Sequence, residues 1–174
     1  MSGLILPFRN VIPKVGTGAY VANTAVLIGD VEIGAEASIW FGVVVRGDVH
    51  SIRVGARTNV QDNTVIHVTE GRFGTTIGKD VLVGHGCIVH GCTVEDGAFI
   101  GMGSTVLDGA VIEAGAMVGA GSLVTPGKRV KAGELWSGRP AKLFRPMTDL
   151  DREAIKSGVQ HYVDLAKSYL GSRI

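Results

Sequence analysis

Aromatic residues are scarce in this chain, at 6% of 174 residues. Bulky rings normally fill the irregular space of a core, so a core without them is narrow and regular. Cysteine is scarcer still. Two thiols, Cys87 and Cys92, are too few for a disulfide framework and make the cytoplasm the default compartment. Neither sign of charge is in excess: Lys and Arg number 17 against 16 Asp and Glu, a formal net charge of +1. No basic cluster marks a nucleic-acid footprint. No apolar run approaches the roughly 20 residues of a membrane span. The N-terminal MSGLILPFRN lacks the basic segment and the length of apolar run that a signal peptide needs. Neither nucleic acid nor membrane is an expected partner.

What is abundant is glycine, with 26 residues, in a chain that is 45% hydrophobic. That hydrophobic share excludes disorder. The glycines are interleaved with Val, Ile and Ala, and the interleaving is periodic. In the C-terminal half Val94, Ile100, Val106, Ile112, Val118 and Val124 recur every six positions. A small residue follows four places after each of the first five: Ala98, Ser104, Ala110, Ala116 and Ser122. The N-terminal half runs Val15, Val21, Leu27, Ile33, Ile39, Val45, then Val54, Val60, Ile66, then Ile77, Val83 and Val89. Three register slips interrupt it, between Val45 and Val54, Ile66 and Ile77, and Val89 and Val94.

A period of six fits neither an α-helix nor a simple alternating strand. It fits a short strand plus a tight corner, three of which close a triangular coil of about 18 residues. Eighteen hexads then make about six coils. The lead aliphatic and the small residue fill the prism, and the position after the lead points outward. The segment 134–146, ELWSGRPAKLFRP, reads as a Pro-containing connection. A helix is expected from about Asp149 to Leu170, opened by the capping pair Thr148 and Asp151. Its apolar positions are Leu150, Ala154, Val159, Tyr162, Val163, Ala166 and Tyr169. The expected architecture is all-β, a parallel β-helix over 1–147 and a packed C-terminal helix over 148–174.

The repeat gives each histidine a face. His67 and His90 are second in hexads three apart, one full coil, so they stack on one face about 4.8 Å apart, with Arg46 one coil earlier. His85 is third in its hexad, near a corner, and shares a column with Asp62. Zinc needs a third protein ligand, and the corner histidine is poorly placed to supply it within one chain. Three-fold packing of prisms would bring the His67/His90 face of one subunit against the His85 corner of the next.

The segments RGD at 46–48, NVQDNTVIH at 59–67 and HGCIVHGC at 85–92 resemble the γ-class carbonic anhydrase family, and GRPAK at 138–142 and the C-terminal helix extend the likeness over nearly the whole chain. The resemblance implies a left-handed coil and a homotrimer with Zn2+, or Fe2+ or Co2+, on His67 and His90 of one subunit and His85 of the next. It implies reversible hydration of CO2 to bicarbonate by a metal-bound hydroxide. Arg46 and Asp62 match an ion pair between subunits, and Asp48 an acid that holds the RGD turn. Gln61, with Asn59 behind it, matches the group that orients the hydroxide. Tyr162 matches a tyrosine sent from the helix toward the site. The segment 68–76, VTEGRFGTT, carries one acid, Glu70, so the released proton falls to Glu70, His161 or buffer. Two other readings use the same centre: a metal-dependent acyl-CoA thioesterase, and a non-catalytic metal-stabilised trimeric binding module. Cys87, in the small inward position of its hexad, is core rather than ligand.

Overall fold

A six-residue repeat of aliphatic, outward and small residues can bury its apolar atoms only by coiling, and the chain does so. The computed structural model describes residues 3–172, which form a left-handed parallel β-helix of about seven turns with one C-terminal helix. Short strands stack in parallel register into three faces. The first face carries Val45, Ile66 and Val89, the second Val54, Ile77 and Val94, and the third Val60, Val83 and Ile100. These leads are buried, and so are the small residues Ala98, Ser104, Ala110, Ala116 and Ser122. Backbone groups pair from coil to coil, as in Leu82 N donating to Ala98 O at 3.1 Å, which satisfies polar groups that the coil buries.

The coil is longer than the expected six turns. Ile5 starts the first face by pairing with Leu27, Val130 ends the second by pairing with Ile112, and Trp136 ends the third by pairing with Val118. A strand led by Trp136 breaks the aliphatic pattern, which hid the last rung. The segment read as a connection is also ordered: Glu134–Gly138 and Ala141–Pro146 form an antiparallel hairpin that closes the third face. All three register slips fall at one corner, between the first and second faces. There the long strand Val44–Val54 turns the corner, residues 68–74 bulge outward, and Gly91 and Cys92 cut it short. That corner adjoins the His67/His90 column.

The helix α1 (Asp149–Gly171) opens on the expected capping box: the Thr148 hydroxyl accepts from Asp151 N, and the Asp151 carboxylate accepts from Thr148 N. It lies along the third face, burying Ile155, Val159, Val163 and Ala166. Two expected positions do not belong to that side. Leu150 is 83% exposed and Ala154 is exposed, while Ile155 takes the buried place. The buried stripe begins only where α1 reaches the wall. Among the described residues no helix is long and apolar enough to cross a membrane.

Candidate metal centre

Val65–His67 and Ile88–His90 are parallel neighbours in which His67 and His90 are register partners. Both side chains leave the first face on the same side. Their rings tilt 57° with centroids 5.1 Å apart, and His67 Nδ1 stands 3.1 Å from His90 Nε2. Each ring is held by an acid on its other nitrogen. His67 Nε2 donates to Asp48 Oδ1 at 3.1 Å, and His90 Nδ1 donates to Asp108 Oδ1 at 2.6 Å. A ring that gives its one proton to the carboxylate behind it turns its other nitrogen, as an acceptor, toward its neighbour. Two acceptor nitrogens at that separation are compatible with a proton or a metal cation between them. A tetrahedral zinc, with Zn–N of about 2.0–2.1 Å, sets its nitrogens about 3.3 Å apart. The pair fits it.

The acids are themselves anchored. Asp48 Oδ2 accepts from Arg46 at 2.5 Å. Burial pushes the Asp48 carboxyl up, and the hydrogen bonds from Arg46 and His67 outweigh it, leaving the group below its usual range. Asp108 Oδ2 accepts from Thr69 Oγ1 at 2.6 Å. Burial raises this carboxyl too, and the hydrogen bonds from Thr69 and His90 outweigh it, leaving the group below the ordinary value. Both stay anionic at neutral pH. Asp48 therefore does more than hold a turn: it joins Arg46 to a histidine.

His85 stands in the corner column between the third and first faces, as its place in the hexad implied. Its Nδ1 lies 2.7 Å from Asp62 Oδ2, leaving Nε2 as its free nitrogen, and the side chain is 46% exposed. Within one chain Arg46 pairs with Asp48 and Asp62 with His85, so Arg46 and Asp62 do not pair with one another there. Among the described residues of one chain no group of three His, Cys, Asp or Glu side chains is placed to hold a metal.

Gln61 and Asn59 lie on the third face beneath α1. Gln61 Nε2 donates to Asn59 Oδ1 at 3.0 Å, and both residues are buried. Asn59 Nδ2 is buried without a partner among the described residues. Tyr162 is half-buried on α1, edge-on to Trp40 at 5.5 Å. Burial pushes its phenol up, and the charge of Asp62 adds to this, which places Tyr162 on the Asp62/His85 side. His161 is exposed against the Tyr162 ring, and Glu70 is exposed beside Thr69. Cys87 and Cys92 are buried, free and outside the site.

Asp108 was not legible as a site residue from motif spacing. It is third in the Val106 hexad, in register with Gly91 rather than with His90, so the His67/His90 column itself continues to Leu107 and passes it by.

The bacterial transferase hexapeptide (six repeats) family matches residues 74–108 and 91–126. The chain is 42% identical over 166 residues to a carbonic anhydrase of Geobacillus kaustophilus, covering 95% of this chain and 91% of that protein. It is 49% identical over 160 residues to the mitochondrial γ carbonic anhydrase 2 of Arabidopsis thaliana, covering 89% of this chain. The chain spans 58% of that plant protein's length, and 59% and 63% of two further mitochondrial γ carbonic anhydrases of the same plant. Among solved structures, a hexapeptide transferase family protein from Anaplasma phagocytophilum is 50% identical with a TM-score of 0.92, covering 95% of this chain and 98% of that one.

Proposed function

Since the chain belongs to the γ-class carbonic anhydrase family, we propose that it is a zinc carbonic anhydrase, reversibly hydrating CO2 to bicarbonate at the interfaces of a homotrimer. The observation that carries the proposal is the meeting of His67 Nδ1 and His90 Nε2 at 3.1 Å, each ring tied back by an aspartate. His85 of the next subunit, oriented by Asp62, completes the ligand set. A divalent metal held by these three histidines would supply a Lewis acid that lowers the pKa of bound water to near neutrality.

The chain's own residues do the rest. Asp48, Asp108 and Asp62 keep each histidine in one tautomer, so that its bare nitrogen faces the shared space. Val65 and Ile88, register partners two residues before the histidines, are 39% and 44% exposed on the same face. They offer apolar surface to an uncharged, linear substrate. Gln61, steadied by Asn59, aims the attacking oxygen toward carbon. Arg46 and Asp62 face one another between subunits and fix their register, and Tyr162 closes the side next to His85. The released proton leaves through exposed groups at the rim, Glu70 first. Two buried free thiols suit a reducing compartment such as the cytoplasm.

Metal analysis of anaerobically purified protein, paired with stopped-flow CO2 hydration, tests the proposal. One metal per chain and hydration above buffer are expected in the wild type, with both lost in His90→Ala. A wild-type protein carrying one metal per chain and hydrating no CO2 above buffer would overturn the hydratase. Acyl-CoA hydrolysis on the same sample would then separate a hydrolase from a non-catalytic module.

A further inference from the structure

The corner between the second and third faces carries a column of residues at positive φ: Glu36 (+55°), Arg57 (+60°), Asp80 (+55°), Gly97 (+66°) and Gly115 (+62°). The helix α1 lies along this corner, and side chains bridge the gap where the column has them. Lys167 pairs with Glu36 at 2.7 Å. Arg57 donates to Gln160 at 3.2 Å and pairs with Asp80 at 2.7 Å. Past Asp80 the column loses its side chains. Nothing stands within 4 Å of where a Cβ would be at Gly97 or Gly115.

A cavity of about 550 Å³ opens there between α1 and the wall of the prism. That is the size of an ordinary small-molecule site, about 300–1,000 Å³. Its floor is apolar and buried, made by Met147, Ile155 and Val159, and its rim carries Arg152 and Lys156. The charges are unbalanced. Asp80, the acid in the lining, is taken by Arg57. The acid nearest Arg152 is Asp149, 3.8 Å away and fully exposed, where solvent screens the pair. Lys156 makes no hydrogen bond or ion pair among the described residues. An apolar floor under two cations without a buried counter-charge is complementary to one class of ligand.

The geometry points to a second binding site, separate from the metal centre, for an amphipathic anion: an aliphatic or aromatic body on the floor and one carboxylate between Arg152 and Lys156. His85 stands at the other corner of the third face, so the groove and the metal centre occupy different edges of the prism. The sequence encodes the groove by placing glycines where the preceding coils place Arg57 and Asp80.

Isothermal titration of the whole protein with sodium decanoate tests this, with acetate and decyltrimethylammonium as comparisons. Decanoate is expected to bind saturably at one per chain. Acetate, which has no apolar body, and the ammonium, which has the opposite charge, are expected not to bind. The exposed double variant Arg152→Glu, Lys156→Glu is expected to weaken decanoate at least tenfold. Gly115→Asn puts a side chain into the groove at a φ that Arg57 and Asp80 already tolerate, and is expected to do the same. No saturable decanoate binding in the wild type, equal binding of the ammonium, or an unchanged Kd in the charge-reversed variant would each overturn the inference.

Discussion

His67 and His90 are partners on adjacent coils, with Nδ1 of the first 3.1 Å from Nε2 of the second. The contact follows from the repeat. Strands one coil apart lie about 4.8 Å from each other, so two imidazoles in the same outward position must meet. What would suit the pair to hold a metal, as proposed, is the carboxylate behind each ring.

Asp108 should therefore matter to the metal without touching it. Asp108→Asn keeps the size of the side chain and removes the charge that fixes His90. Metal affinity is expected to fall about 10–100-fold, measured by competition with a chromogenic chelator. Thr69→Ala, which removes only the hydroxyl holding Asp108, should fall less. Unchanged affinity in Asp108→Asn would leave Asp108 as a structural link between the 68–74 loop and the wall.

At the start of α1, Asp151 accepts both Arg145 guanidinium nitrogens, at 2.6 and 3.0 Å, and both Thr148 donors. The Arg145 hydrogen bonds first, and the Thr148 ones after them, hold its carboxyl well below the usual carboxylate range. A depressed carboxylate stabilises the fold fully above its unfolded pKa of about 3.9, and the effect is lost as the pH falls from there through the folded value. Asp151→Asn should thus melt below the wild type at pH 7, with the gap narrowing only below about pH 4. A gap that is constant across a thermal series down to about pH 3 would contradict this.

Much of this was legible in the sequence because the hexad assigns both a burial and a face. The leads, the His67/His90 stack and the Asp62/His85 column follow from counting in sixes, and the start of α1 from its capping pair. The last coil was hidden because Trp136, not an aliphatic, leads it. The hairpin after it depends on an edge strand finding a partner, which periodicity does not encode. Leu150 and Ala154 keep a four-residue spacing with each other but lie well round the helix from the buried Ile155, Val159, Val163 and Ala166, and so face solvent. Asp108 escaped because a carboxylate supporting a histidine has no spacing signature, and it stands one position off the His67/His90 column, above Gly91.

The prism interior should punish changes of volume in both directions. Ile100 and Ala98 are wholly buried in one coil, and few aromatics are present that could rearrange to compensate. Ile100→Ala is expected to cost about 2–5 kcal/mol by leaving a cavity. Ala98→Leu is expected to cost about 1–3 kcal/mol by overpacking a corner. Denaturant titration at fixed protein concentration reads both. A destabilisation well under 1 kcal/mol in either variant would mean the coils are less tightly packed than their burial implies.

The two thiols give a simple check on which cysteines belong to the site. Burial pushes Cys92 up to about 12 and raises Cys87 as well. A thiol so protonated neither attacks nor ligates at neutral pH. Neither cysteine should react with Ellman's reagent in the native protein, and both should react on unfolding. Fast native labelling of either would put a thiolate near the histidines and reopen its role.

The sharing of the centre between subunits is the most discriminating test. His67→Ala destroys the two-histidine face and His85→Ala destroys the corner donor, so a trimer of either variant alone has no complete site. When the two are unfolded together in equal amounts and reassembled, chains assort at random. An interface is complete only where an intact face meets an intact corner, which happens at about a quarter of interfaces in a closed three-fold ring. Metal content should rise from near zero in each variant to about a quarter of the wild-type value in the mixture, and CO2 hydration should rise with it. If both histidines served one chain, mixing would restore nothing, because every chain would still lack a ligand. Recovery near zero would thus remove His85 of the neighbour from the ligand set while leaving the His67/His90 pair in place.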